Sequence, residues 1–216
     1  MEARYLALLL LSFCILFVVF FVWRLPQKSK ADDKGGLGER EVGRMLERGL
    51  DESYCCLNDL IVPFQNGATT QIDHVCLSVY GIFVIETKNF SGWVYGGEHD
   101  AQWTQVLFQN RYRFQNPLRQ NYAHIRALSA LLRLPEGKFH SVVVFLEGCE
   151  LKTELPANVC HAGRAAGYIK GFRKPLLDKG QVEAAAAVLG QKKFRATAKK
   201  RRNHVKQLQK RLGKRP

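Results

Sequence analysis

Residues 5–23 hold no charged side chain and consist almost wholly of Leu, Ile, Val, Phe and Ala. At about 1.5 Å of rise per residue this run makes a helix of about 28 Å, the hydrocarbon thickness of a bilayer. Tyr5 and Trp23 stand at its two ends, where aromatic rings favour the headgroup layer. The pattern predicts one transmembrane helix in preference to a signal peptide. The run is too long for an h-region, Met1-Glu2-Ala3-Arg4 is weakly basic, and no small-x-small cleavage site follows Trp23. Arg24, Lys28, Lys30 and Lys34 come next, which by the positive-inside rule places the C-terminal part in the cytoplasm. The expectation is a single-pass protein of a bacterial inner membrane, with membrane lipid as a partner of its N-terminal helix.

Beyond a polar linker the pattern changes to that of a packed domain. Residues 37–50 show an apolar stripe (Val42, Met45, Leu46, Leu50) at helical spacing. Residues 57–62, 71–79 and 82–88 read as three strands, the last two joined by a tight turn near Tyr80-Gly81. A Gly- and aromatic-rich stretch follows (Gly92, Trp93, Tyr95, Gly96, Gly97, Trp103), predicting a β-excursion or a long loop. Asn116-Pro117 is an N-cap and first-turn signal for a helix to about Leu134, with Leu118, Ile125, Leu128 and Leu132 inward. Residues 141–146 read as a buried strand, and helices are expected near 162–172 and 181–190. Helix, three strands, helix, strand is an α/β layered order. The boundaries are an anchor over 1–24, a linker over 25–35, one domain over 36–190 and a basic tail over 191–216.

Charge alters this picture at one end only. The net charge is +14, and residues 191–216 contain twelve Lys or Arg with no Asp or Glu, so +12 of it lies in the tail. Such a patch suits a polyanion, either nucleic acid or anionic lipid. Lys199, Lys200, Arg201 and Arg202 form its densest run, and Val205, Leu208 and Leu212 make it a candidate amphipathic helix. The six cysteines (Cys14, Cys55, Cys56, Cys76, Cys149, Cys160) include no Cys-x-x-Cys pair. They fit neither a zinc site nor a disulfide framework, and read as structural thiols of a reducing compartment.

The candidate chemistry lies on the central hairpin. Glu86 and Lys88 are two apart on one strand and therefore share a face. A turn at Val79-Tyr80 sets position 73 across from 86 and 87, which brings Asp73 beside Glu86. Two carboxylates held that close repel each other unless a cation lies between them. Their hard oxygens suit Mg²⁺ or Mn²⁺, and a neighbouring Lys can orient a water or balance a phosphate. Glu39 begins the packed face of the first helix, with Val42, Gly43 and Leu46 at helical spacing after it. His74 points to the face opposite Asp73 and reads as a packed histidine. Trp93, Tyr95 and Trp103 read as hydrophobic packing of the excursion, with base stacking as the alternative.

Four ordered blocks carry a resemblance: Gly36-Leu37-Gly38-Glu39, Gln71-Ile72-Asp73-His74-Val75, residues 81–89 (GIFVIETKN), and Gln115-Asn116-Pro117-Leu118-Arg119-Gln120. Together they resemble the nuclease-related domain (NERD) family of the PD-(D/E)xK nuclease superfamily, over about residues 36 to 150. The resemblance implies a restriction-endonuclease-like core: α/β, in the order αβββαβ, a mixed sheet flanked by helices, here preceded by one transmembrane helix. It implies Asp73 and Glu86 as metal ligands, a further contact from the Thr87 carbonyl, and Lys88 as the catalytic lysine. Glu39 would complete the metal shell, while Gln120 and Gln115 would position site or substrate. Ile72 stands where the superfamily pattern expects Pro, which leaves the Asp in place. The expected function is a membrane-anchored, Mg²⁺- or Mn²⁺-dependent nuclease acting on DNA ahead of RNA. The alternative is an inactive module that tethers nucleic acid to the membrane.

Overall fold

The structure, a computed structural model, describes residues 30–212, with side chains described over 34–209. The chain divides into two units, residues 1–34 and 35–216. The apolar run 5–23 lies outside the described residues. Among the described residues no helix is long and apolar enough to cross a membrane. The single-pass inner-membrane placement, and with it lipid as a partner, is corrected on that finding.

The hydrophobic run of the central hairpin dictates the architecture. Helix α1 (Lys30–Gly49) leads into β1 (Cys55–Pro63), β2 (Thr69–Ser78) and β3 (Gly81–Lys88). β3 alternates between two buried faces. Ile82 and Val84 enter one core with Leu128 and Ile125, while Phe83 and Ile85 enter a second with Val42 and Leu46. A strand buried on both sides belongs at the centre of a covered sheet. It pairs antiparallel with β2 and parallel with β7 (Phe139–Phe145), in the order β1-β2-β3-β7-β9, where β9 is Val159–His161. Helix α2 (Pro117–Leu132) covers the first face. α1 and α3 (Ala162–Lys170) cover the second. α4 (Lys179–Leu189) and α5 (Ala198–Leu212) complete the described chain. The mixed sheet flanked by helices fits the restriction-endonuclease-like core.

The Gly- and aromatic-rich stretch proves to be a second sheet. Strands β4 (Gly92–Tyr95), β5 (Gln102–Leu107) and β6 (Asn110–Gln115) join β8 (Cys149–Leu151) in the order β6-β5-β4-β8. Trp103 pins it to the first sheet. The indole is fully buried, stacks on Phe145 at 6.2 Å between centroids, and donates its Nε1–H to the Gly97 carbonyl at 2.9 Å. Gly96 is needed there, because an added Cβ would stand 2.2 Å from the indole. Trp103→Ala is expected to cost about 3–5 kcal/mol in chemical denaturation, with the loss read from the unfolding midpoint.

Two expectations change here. Cys56 and Cys76 are directly opposed on β1 and β2 and form a disulfide, while Cys55 and Cys160 are free thiols. The reading of all six as separate thiols is corrected, because only the hairpin register makes residues twenty apart neighbours. The segment after residue 190 is woven into the first sheet. Phe194 is 4% exposed in the core, its carbonyl accepts from Ile61 N at 2.8 Å, and Leu60 bridges Arg195. α5 then turns His204, and not Val205 or Leu208, inward. His204 Nδ1 lies 2.9 Å from Thr69 Oγ1, whereas Val205 and Leu208 are 47% and 42% exposed.

Candidate active site

Strand register delivers the two acids to one place. His74 opposes Ile85 and Val75 opposes Val84, so the next position along each strand sets Asp73 against Glu86. Asp73 Oδ2 accepts a hydrogen bond from the Thr87 backbone N–H at 2.8 Å, which ties the two strand ends together. Glu86 is 3% exposed, and a buried carboxylate requires partners. Lys88 Nζ donates to its Oε1 at 2.6 Å, and His124 Nε2 lies 3.1 Å from its Oε2. The same Lys88 ammonium donates to Gln120 Oε1 at 3.0 Å.

α2 supplies this second row of groups. Asn116 caps the helix by accepting from Leu118 N, and Pro117 takes the first turn, where its missing N–H costs nothing. Gln120 and His124, four apart, then lie on one side. With Nε2 donating to Glu86, Nδ1 of His124 accepts from the Thr70 hydroxyl at 2.8 Å. Asn121, fully buried between them, donates to the Val84 carbonyl at 2.8 Å and to Ser141 Oγ at 2.9 Å. That amide locks the helix to β3 two residues from Glu86. His124 and Asn121 were not singled out in the sequence. The available signal was that they follow Gln120 by four and by one.

Glu39 approaches from α1. Gly38 makes that possible, since a Cβ there would stand 2.7 Å from Asn89 Cβ and 3.0 Å from Leu146 Cδ1. Burial raises the Glu39 pKa, Arg201 opposes the rise, and the Glu86 charge adds to it. Burial also lifts Asp73 well above its ordinary value, with Glu86 and then Glu39 adding to the rise. In Glu86 burial pushes upward, but Lys88 and His124 outweigh it and hold the carboxyl below its ordinary range. The site is thus three acids that feel one another's charge, with one lysine against the most buried of them.

The other expected residues are placed as follows. Thr87 flanks Glu86, and among the described residues its buried hydroxyl has no hydrogen-bond partner. Gln115, exposed at the end of β6, makes no hydrogen bond to the acids. His74 is packed as expected: Nδ1 meets Asn58 Oδ1 at 2.8 Å, and burial lowers its pKa to about 4. In the basic run, Lys200 donates to the carbonyls of Lys192, Lys193 and Arg195, and Arg201 pairs with Asp59. Lys199 and Arg202 remain exposed.

Among the described residues no group of three or more His, Cys, Asp and Glu is arranged as a metal cage. A Mg²⁺ ion does not require one, since it is commonly held by one or two carboxylates with water and substrate phosphate filling the rest. The all-oxygen donors and the upward displacement of Asp73 and Glu39 fit a hard cation, because positive charge relieves both.

Residues 34–146 match the protein family described as Nuclease-related domain. The chain is also similar to the uncharacterized protein pXO1-01 of Bacillus anthracis. The two are 45% identical over 121 residues, which cover 55% of this chain and 56% of that protein. The match therefore spans about half the length of the curated relative.

Proposed function

We propose that this chain, which belongs to the nuclease-related domain (NERD) family, hydrolyses phosphodiester bonds of nucleic acid with the help of a divalent metal ion. The observation that supports this reading is the Asp73–Glu86 pair, with Lys88 Nζ 2.6 Å from Glu86 and 3.0 Å from Gln120. Asp73 and Glu86 would hold Mg²⁺ or Mn²⁺, with Glu39 and the Thr87 carbonyl as further oxygen donors. When bound, such an ion polarises the phosphoryl oxygen and lowers the pKa of a water.

The chain's own groups do the rest. Lys88 sets its ammonium at the rim of the pair, where it can balance a phosphate oxygen or hold a water. Gln120 fixes that ammonium from α2. His124 keeps Glu86 oriented through its Thr70 bond, so the carboxylate does not swing out of the site. DNA is the favoured substrate, with RNA as the other arm of the test.

A second reading, a binding module that does not cut, draws on the existing partners of Glu86, whose two oxygens already face Lys88 and His124. Incubating the full chain with DNA and with RNA, in Mg²⁺ or Mn²⁺ and in EDTA, separates the two. Metal-dependent cutting that disappears in Asp73→Ala supports the enzyme. Binding without metal-dependent cutting, unchanged in Asp73→Ala, supports the module and overturns the enzyme.

A further inference from the structure

The second sheet has two unlike faces. Its inner face buries Val94 and Trp103 completely. The outer face is set by register, because directly opposed residues point the same way. Trp93 opposes Val106, which opposes Arg111; Tyr95 opposes Thr104, which opposes Arg113. Two parallel rows therefore cross three strands, each with an aromatic ring at one end and a guanidinium at the other. Trp93 is 48% exposed, Tyr95 is 37% exposed, and both arginines are exposed. Among the described residues neither arginine has an ion-pair partner. Lys152 Nζ adds a third cation 5.0 Å from the Trp93 ring centroid, and Glu150, which opposes Trp93 on β8, is already paired with that lysine at 2.6 Å.

We propose that this face is a stacking platform for single-stranded nucleic acid, with Trp93 and Tyr95 each taking an unpaired base and Arg111, Arg113 and Lys152 taking the backbone phosphates. The charge favours an anionic ligand, since Arg111, Arg113 and Lys152 outnumber Glu150. The rings exclude a pure phosphate site, since arginines alone would serve a duplex backbone as well. Rings two residues apart on a strand are separated by about 6.8 Å, so each meets a separate base of an unstacked strand. Aromatic and cation together are the means by which proteins hold single strands without reading sequence. The platform is joined to the acid site at both ends: β4 begins four residues after Lys88, and β6 ends five residues before Gln120. The proposal deepens the nuclease reading and rests on it for the class of ligand.

The test is binding of the full chain, in EDTA, to fluorescently labelled 16-nucleotide probes: a mixed-sequence single strand, the same sequence as a duplex, and an abasic strand of equal charge. EDTA removes cutting from the readout, so failure of the platform and failure of the nuclease reading are seen separately. Trp93→Ala and Tyr95→Ala are each expected to weaken single-strand binding about 10-fold, with little change for the abasic strand. The abasic strand should bind the unaltered protein about 10-fold more weakly than the natural strand. Arg111→Gln with Arg113→Gln should weaken all three probes and flatten their salt dependence. Matching thermal midpoints establish that the variants fold. If one aromatic variant does not fold, the abasic comparison on the unaltered protein still decides. Equal affinity for natural and abasic strands, or equal losses for single strand and duplex in Trp93→Ala, overturns the proposal.

Discussion

Asp73→Asn is expected to abolish metal-dependent cutting, by about 100-fold or more, while making the metal-free protein more stable. The stability gain follows from charge. Burial and the neighbouring Glu86 and Glu39 hold the Asp73 pKa well above its ordinary value of 3.8. Between that value and the raised one, the folded state keeps a proton that the unfolded chain has lost. Stability therefore falls as pH rises through this window. Asn has no proton to lose, and its Oδ1 can still accept from Thr87 N, so the variant keeps the strand tie without the repulsion. A higher Tm than that of the unaltered protein is expected for the variant at neutral pH without metal. Mn²⁺ should raise the Tm of the unaltered protein and leave that of the variant nearly unmoved. Scanning calorimetry with and without Mn²⁺ across this pH range checks each part.

Removing the lysine should do the reverse to stability. Lys88→Met leaves Glu86, 3% exposed, with His124 as its remaining partner. Breaking a buried ion pair from one side costs about 3–5 kcal/mol. The lower end is expected here, because His124 stays at 3.1 Å and Lys88 is itself 16% exposed. The loss should also depend on pH in a definite direction. Lys88 helps to hold the Glu86 pKa below 4.5, so the stability it confers is present above that value and fades as pH falls through the lowered one. Cutting should drop by about 100-fold or more, as the charge facing the phosphate is gone. Glu86→Gln combined with Lys88→Met should recover most of the lost stability and none of the activity. Urea denaturation of the two single variants and the double variant measures the coupling.

How much of this was legible beforehand depends on whether local or tertiary physics placed each group. Asp73 against Glu86 follows from a two-residue period and a turn at Val79-Tyr80, both local. The burial of β3 on both faces followed from its unbroken apolar run. His124 and Asn121 escaped notice because their partners, Glu86 and the Val84 carbonyl, become neighbours only when α2 docks on the sheet. The aromatic stretch divided the same way. Trp103, Trp93 and Tyr95 are alike in composition, and the pinning of Trp103 against Phe145 decides which face turns outward. The basic helix is placed by tertiary contacts too. Val205 and Leu208 mark an amphipathic helix in the sequence, but which residue of it meets the domain is decided by Thr69, whose hydroxyl faces His204. Lys200 and Arg201 look like phosphate contacts in sequence, yet they engage backbone carbonyls and Asp59.

The proposed chemistry requires that Asp73 and Glu86 share a cation. A crystal of the full chain soaked in Mn²⁺ tests it most directly through the metal's anomalous scattering. The expected result is one strong peak bridging the Asp73 and Glu86 carboxylates, absent from crystals of Asp73→Asn. If the protein cuts nucleic acid in Mn²⁺ while its crystals show no peak there, or show it at other residues, Asp73 and Glu86 do not hold the metal.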